Sequence, residues 1–244
     1  MKLDFEVLAP KLCDRHFGIG ADGILAVGPS NQFRAKMLVY NADGSMPEMC
    51  GNGIRCAAVY LLDENLLNPS GDCIETSAGP KKVTIDESRN VTIDMGQVTI
   101  THDSVDLTQQ GCSETGIGVS VGNPHLVIFV RDLGSYDLNS IGPKLEHHLK
   151  FKDGANVHFV QILSRSNLRV NTWERGSGVT LACGTGACAC TYAALSKGLI
   201  ENVCRVELPG GRLTIEIDSF DHALMTGPAE YVFFGNYSLP IAPE

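Results

Sequence analysis

Two apolar, Ala-rich stretches, 54–65 and 187–197, have the length and spacing of helices. After each comes an extended run, a glycine-containing turn and a strand of alternating apolar and polar residues. The first pair of strands is 73–76 and 82–86; the second is 204–208 and 213–218. Both read as hairpins. Upstream of each helix lies a strand-like segment, 33–41 or 167–174, that runs into a Gly-Ser turn at Gly44-Ser45 or Gly176-Ser177. Earlier still, Ala9-Pro10-Lys11-Leu12 matches Gly142-Pro143-Lys144-Leu145, and each is expected to open a helix because proline suits the first helical turn. The pattern therefore occurs twice, and an internal repeat of this kind sets the architecture. It predicts an α+β fold of two similar halves, 1–115 and 116–229, divided in the glycine-rich stretch 111–118. A last strand over 230–237 could pair with either half, so 230–244 could return to the first.

The repeat is uneven at one place. Before the second Gly-Pro-Lys-Leu helix stands a strand-like segment, 118–131, whereas the first has only eight residues ahead of it. The first half is therefore expected to lack the equivalent strand, through a late start or a truncation, and to leave a sheet edge unpaired. Poor activity of the chain as given would follow.

Composition narrows the class of function. The 244 residues carry a net charge of −9, which argues against a nucleic-acid partner, since neutralising phosphates needs clustered Lys and Arg. No apolar run approaches the roughly 20 residues of a membrane span, and the first residues lack a signal-peptide core. Nine cysteines, an odd number, in a chain of this size read as reduced thiols and point to the cytoplasm.

The repeat singles out two of those cysteines. Met49-Cys50-Gly51-Asn52-Gly53 and Ala182-Cys183-Gly184-Thr185-Gly186 occupy the same place in each half, just before the apolar helix. Free N–H groups at a helix N-terminus favour negative charge, so a thiol there is expected to have a lowered pKa. The same N–H groups can hold a carboxylate. Two such thiols, one on each face of an α-carbon, suit proton removal from one side and return to the other, with the held carboxylate taking the developing charge.

Other signals are weaker. Gly18-Ile19-Gly20-Ala21-Asp22-Gly23 fits a dinucleotide pattern, but a helix over 10–17 precedes it and a strand over 24–27 follows, the reverse of the required order, so it is a turn. No C-x-x-C pair or zinc-finger spacing occurs. Cys188 and Cys190 are expected on the core side of the second helix, Cys56 likewise in the first, and His147-His148 on a solvated helix face. His125, after Gly122-Asn123-Pro124, is a candidate acid–base group. Arg175 has the planar fork that suits a carboxylate, and Glu174 could hold an ammonium. Asn41, Asn123 and Asn156 lie at strand ends beside turns.

Asn41-Ala42-Asp43-Gly44-Ser45 running to Cys50-Gly51-Asn52-Gly53-Ile54-Arg55-Cys56, and Trp173-Glu174-Arg175-Gly176-Ser177-Gly178 running to Ala182-Cys183-Gly184-Thr185-Gly186, resemble the two active-site motifs of diaminopimelate epimerases. Gly122-Asn123-Pro124-His125 resembles a third family segment, and the likeness covers nearly the whole chain. It implies two pseudo-symmetric α+β domains, each a mixed or antiparallel sheet wrapped around a central helix, facing across a cleft. It implies interconversion of LL- and meso-diaminopimelate for lysine and peptidoglycan synthesis, with no pyridoxal phosphate, metal or other cofactor, in a cytoplasmic homodimer. By motif, Cys50 and Cys183 are the acid–base pair, and Gly51, Asn52, Gly184 and Thr185 cradle the reacting carboxylate. Asn41, Asn156 and Arg175 grip the distal end, Asn123 is a further substrate contact, and His125 with Glu174 orient the reacting centre. The chain departs from the family in carrying Gly23 where many members have Gln, and in lacking the opening strand with its Gly-Asn-Asp-Phe segment. Other two-cysteine racemases of the superfold, acting on histidine or proline-like substrates, are the alternative; outside enzymes, a redox or metal-binding thiol protein is.

Overall fold

The computed structural model describes residues 3–47 and 50–238, so Met49 of the first cysteine motif lies outside the described residues. The chain divides into two compact units, Met1–Val91 with Pro228–Glu244, and Thr92–Gly227. The boundary lies earlier than the expected 115/116. The stretch 111–118 runs from the connection between two strands that pair with each other into the second of them: Gly111 takes φ +84 at the end of a short 3-10 turn, Thr108–Gln110. Gly111 relieves the left-handed conformation there, inside the second unit, while Gly116 and Gly118 lie within the strand that follows.

In the first unit, helix α1 (Phe5–Cys13) leads to strands β1 (Gly23–Gly28) and β2 (Ala35–Asn41), helix α2 (Gly51–Asp63), and strands β3 (Asp72–Thr76) and β4 (Gly79–Ile85). β1 and β2 are antiparallel, β2 and β3 parallel, β3 and β4 antiparallel. Within this unit and among the described residues, β1 pairs with β2 alone.

The second unit holds β5 (Val91–Gln97, starting at the boundary), β6 (Thr99–Asp106), β7 (Thr115–Ser120), β8 (Pro124–Phe129) and helix α3 (Leu138–Glu146). There follow β9 (Asn156–Ser164), β10 (Asn167–Glu174), β11 (Gly178–Thr180), helix α4 (Gly184–Ser196), β12 (Val203–Leu208), β13 (Gly211–Ile217) and β14 (His222–Gly227). Its strands run in the order β5-β14-β13-β12-β10-β9-β8-β7-β6, with β11 on β10. β9 and β10 are antiparallel, β10 and β12 parallel, β12 and β13 antiparallel, the same pairing as β1 to β4. The segment 118–131 is the β7–β8 hairpin, turned at Gly122 (φ +87), and β8 lies parallel to β9.

Each cysteine-capped helix therefore crosses between two parallel strands and packs on the sheet they share. α4 is built mostly of Ala, Gly, Cys and Thr, and strands pack against it on several sides: Gly186, Ala187, Cys188, Ala189, Cys190, Thr191, Ala193 and Ala194 are all buried, while Tyr192 and Leu195 are partly exposed and Ser196 is exposed. α2 is one-sided. Ile54, Ala57, Ala58 and Leu61 face the core, but Cys56 and Tyr60 are exposed. The expectation that Cys56 faces the core is thus corrected. Its face of α2 looks onto an apolar cavity of about 630 Å³ lined by Phe5, Leu25, Val27, Tyr60 and Tyr231.

Three further expectations are corrected. Pro10 and Pro143 do not open their helices; each is the sixth residue, and the start is set one turn earlier by Asp4 or Asp137, whose carboxylate accepts a backbone N–H. The first helix accordingly ends at Cys13. Residues 230–237 form no strand among those described, and Val232 and Phe234 are exposed; β-forming side chains need a ladder partner, and none takes this segment. His148 is buried, with Nε2 against the Asp106 carbonyl at 3.0 Å, while His147 beside it is exposed.

Candidate active site

Cys50 and Cys183 are the N-cap residues of α2 and α4, with closely similar backbones: φ −135, ψ 106 and φ −125, ψ 112. Extended dihedrals at a cap aim the side chain back over the first helical N–H groups. Cys50 uses this, and its Sγ accepts from the Gly53 N–H at 3.3 Å. The third helical residue is glycine in both. A Cβ on Gly53 would come within 2.7 Å of a Leu25 methyl, and a Cβ on Gly186 within 2.3 Å of the His158 ring.

The surroundings of the two thiols differ in sign. One turn below Cys50, Arg55 is buried and donates to the Gly51 carbonyl (3.2 Å), the Asn52 Oδ1 (3.0 Å) and the Pro228 carbonyl (3.1 Å). Burial pulls its guanidinium below the ordinary value, and the Cys56 and Cys50 sulfurs, within Coulombic range, partly offset this. Cys183 is 5% exposed, and among the described residues no cation acts on it. Its thiol is pushed up to about 12, first by burial, then by the Glu174 carboxylate beside it, with Thr185 and the Gly186 N–H pulling the other way. The Thr185 hydroxyl is 3.6 Å from the sulfur. The lowered pKa expected at a helix N-terminus is therefore overturned at Cys183, where desolvation and a neighbouring anion outweigh the helix end.

The Glu174-Arg175 turn is fixed from α3. Glu146, buried, accepts from the Trp173 indole at 2.7 Å and from the Gly176 N–H at 3.2 Å, and Gly142 leaves room for the Trp173 ring. Glu174 accepts from the Thr180 hydroxyl at 2.5 Å. Arg175 is exposed, with Nη1 on the Asp153 carbonyl at 2.9 Å. Asn156 is buried and spans the turn, its Oδ1 accepting from the Arg175 N–H (3.0 Å) and its Nδ2 donating to the Pro124 carbonyl (3.3 Å). In the first unit Asn41 is exposed and donates to the Ser45 hydroxyl at 3.0 Å, inside a turn held by Asp43.

His125 is fully buried, and no hydrogen bond among the described residues joins it to Glu174. Its Nδ1 lies 2.9 Å from His158 Nε2 and its Nε2 lies 2.9 Å from Asn123 Oδ1. His158 Nδ1 in turn meets the Thr172 hydroxyl at 3.0 Å. Burial holds both imidazoles far below the ordinary value, that of His158 at about 3. The second unit thus gathers Asn123, His125, Asn156, Glu174, Arg175, Cys183, Gly184 and Thr185 in one region; in the first, Cys50, Gly51 and Asn52 form the start of α2 and Asn41 stands in the turn after β2.

Residues 2–101 and 117–232 match the diaminopimelate epimerase family. The chain belongs to that family. It is 43% identical over 248 residues to the diaminopimelate epimerase of Desulfitobacterium hafniense, covering 95% of this chain and 88% of that one. It is 44% identical over 252 residues to the chloroplastic diaminopimelate epimerase of Oryza sativa subsp. japonica, covering 93% and 71%. The fold is similar to that of a hydroxyproline epimerase from Agrobacterium vitis (TM-score 0.66, 16% identity, 91% of this chain and 77% of that one). A phenazine biosynthesis protein of the PhzF family from Bacillus anthracis is also similar (TM-score 0.73, 15% identity, 93% and 86%). At such identities the likeness is one of fold.

Family membership accounts for the motif residues, but four structural neighbours of the site were missed by sequence reasoning. Arg55 stands inside the first cysteine motif. Its signal is a cation one helical turn after a cap on a face that must be buried. Glu146 gave no signal, because only the fold brings α3 under the Trp173 turn. His158 and Thr172 could have been found: His158 is two residues after Asn156 on a strand, hence on its face, and it pairs with Thr172 across the β9–β10 ladder.

Proposed function

We propose that this chain interconverts LL- and meso-diaminopimelate by a two-thiol proton transfer, with Cys50 and Cys183 acting on opposite faces of the α-carbon. The observation that carries this reading is the pair of matched cysteine caps set in fields of opposite sign. Cys183, with a carboxylate beside it and little solvent, rests as the thiol and returns a proton. Cys50, with an amide N–H on its sulfur and a guanidinium behind it, takes the first proton, and the roles are exchanged when the substrate is of the other configuration. The N–H groups at the start of α2 and α4, on Gly51, Asn52, Gly184 and Thr185, hold the reacting carboxylate and receive the charge that develops as the α-proton leaves.

Asn41 and the Arg175 guanidinium bind the distal head group, Asn156 sets the Arg175 turn, Asn123 donates to the substrate, and Glu174 faces both Cys183 and the substrate ammonium. His125 acts on the substrate through Asn123. No cofactor takes part. No described helix is long and apolar enough to cross a membrane, and we assign the enzyme to the cytoplasm as a homodimer.

Proton NMR with LL-diaminopimelate in D2O tests the reading. Inversion without added cofactor, accompanied by deuterium at the α-position, is the expected result. A requirement for pyridoxal phosphate, or loss of activity on chelation, contradicts it. Equal turnover of a monocarboxylate homologue lacking the distal head group contradicts the roles of Asn41 and Arg175.

A further inference from the structure

Asn123, His125, His158 and Thr172 lie in an unbroken row of hydrogen bonds across β8, β9 and β10, each link between 2.9 and 3.0 Å. Three of the four are buried, with Thr172 1% exposed and both histidines 0%; Asn123 is half-exposed. A neutral imidazole has one donor and one acceptor nitrogen, so the links cannot be set independently. Fixing any one fixes all.

Two directions are possible, and the buried end decides between them. If protons point from Asn123 toward Thr172, the Thr172 oxygen accepts from His158 and its own hydroxyl hydrogen has no acceptor among the described residues, leaving a buried donor unpaired, which is costly. If they point the other way, the Thr172 hydroxyl donates to His158 Nδ1. His158 Nε2–H then donates to His125 Nδ1, and His125 Nε2–H donates to Asn123 Oδ1. Every buried hydrogen in the row is then paired. The Asn123 carbonyl oxygen is engaged inward, which turns its NH2 group outward.

We infer that Thr172, His158 and His125 form a one-way hydrogen-bond chain that holds the Asn123 amide as an outward-facing donor for a substrate carboxylate, so that the two histidines are positioning residues and not acid–base groups. The chain also bears on the thiol. The His158 ring fills the space that a Cβ on Gly186 would need, so the same side chain that sets Asn123 supports the start of α4 at Cys183. Their burial keeps both histidines neutral, which a fixed tautomer requires. The substrate part of this inference rests on the proposed function; the tautomer part does not.

Long-range proton–nitrogen NMR of the labelled full chain is the test. Both His125 and His158 are expected to carry hydrogen on Nε2 only, and neither to titrate from about pH 5 to about pH 9. Thr172→Val removes the terminal donor; a second tautomer is then expected at His158 and His125. KM for diaminopimelate should rise roughly tenfold with kcat little changed, the size of one hydrogen bond to a charged group. Thr172→Ser restores both readouts. Asn123→Asp, which keeps the inward oxygen and loses the outward donor, is expected to leave both tautomers unchanged and to raise KM at least as far; this variant also serves if Thr172→Val does not fold. Hydrogen on Nδ1 of either histidine in the wild type overturns the chain whatever the activity, and so does a tautomer reversal in Asn123→Asp. An unchanged KM in Thr172→Val with mixed tautomers overturns the role given to Asn123. Wild-type protein with the stated tautomers and no epimerase activity overturns the functional reading and leaves the chain intact.

Discussion

The starts of α2 and α4 share a backbone and differ in everything around it. Both are capped by cysteine in the same extended conformation, both have glycine at the third helical position, and both cross between parallel strands. Five residues after the cap, however, α2 has the buried cation Arg55 where α4 has Cys188. Beside the cap, α4 has the Glu174 carboxylate, which presses the Cys183 thiol upward. α4 is buried over most of its length, whereas α2 shows one face to a cavity. Internal symmetry thus supplies two equivalent positions for sulfur, and the departures from symmetry give the two sulfurs different surroundings. In the proposed two-thiol transfer one sulfur starts as thiolate and the other as thiol, and unequal surroundings favour one of the two arrangements at rest.

The largest effect expected is on the cysteines themselves. Cys50→Ala and Cys183→Ala should each reduce inversion by roughly 10²–10⁴-fold, the range for loss of an acid–base group, as read by polarimetry or NMR. Near-normal inversion in either variant breaks the pairing of the two helices. Next comes the charge difference. With a value of about 12, Cys183 has on the order of one thiolate in ten thousand at pH 8, so iodoacetamide should reach it slowly, with a rate rising throughout the alkaline range. Cys50 should be alkylated faster and protected by substrate, in a Cys56→Ser background because Cys56 is exposed. Glu174→Gln removes the anion and should speed alkylation of Cys183. An unchanged rate would leave burial as the whole cause.

Acid should act on the second unit. It alone contains buried histidines; the first has only His16, which is exposed. His158 stays neutral down to about pH 3 in the folded chain but protonates near its ordinary value of 6.5 when unfolded. Between those limits the unfolded state binds the extra proton, so stability is full above about pH 6.5 and declines as pH falls, by about 1.4 kcal/mol per pH unit for each such histidine. Urea unfolding of His158→Gln from pH 7 to 4 should show a shallower decline than wild type; an identical slope would mean that His158 is not held neutral by the fold.

The smallest effects concern packing. Gly186→Ala forces a methyl group toward a buried ring and should cost about 1–3 kcal/mol, whereas Gly53→Ala meets the movable end of Leu25 and should cost less. Equal losses would mean that the two helix starts are equally rigid. Cys188→Ala, in the enclosed helix, should cost about 1 kcal/mol of stability and leave turnover unchanged.

Much of this was legible from the repeat. α2 and α4, the hairpins that follow them, the strands β2 and β10, and the turns at Gly44 and Gly176 were all recovered, because periodic apolar patterns and glycine turns are local signals. Cys50 and Cys183 stood out for the same reason. What failed was non-local. Pro10 and Pro143 were read as helix starts because the capping Asp4 and Asp137 lie outside the matched tetrapeptides. Residues 230–237 have the composition of a strand, but pairing depends on a partner that composition does not reveal. The sign of the Cys183 shift was misjudged because a helix end is visible in sequence, whereas the burial of the sulfur and the approach of Glu174 depend on the folded turn. The histidine chain required the β8–β9–β10 register, which brings together residues 33 and 14 positions apart.

The placement of each thiol within a parallel crossover also has a consequence in time. β2 cannot pair with β3, nor β10 with β12, until some thirty residues of intervening chain have been gathered, and α2 or α4 lies within that loop. Hairpins such as β3–β4, β9–β10 and β12–β13 close over a few residues and should form early, while the crossovers wait on long-range contact. The cysteine caps are therefore expected to be among the last features to acquire protection from amide exchange during refolding. A newly made chain would carry its secondary structure before it carries a working pair of sulfurs.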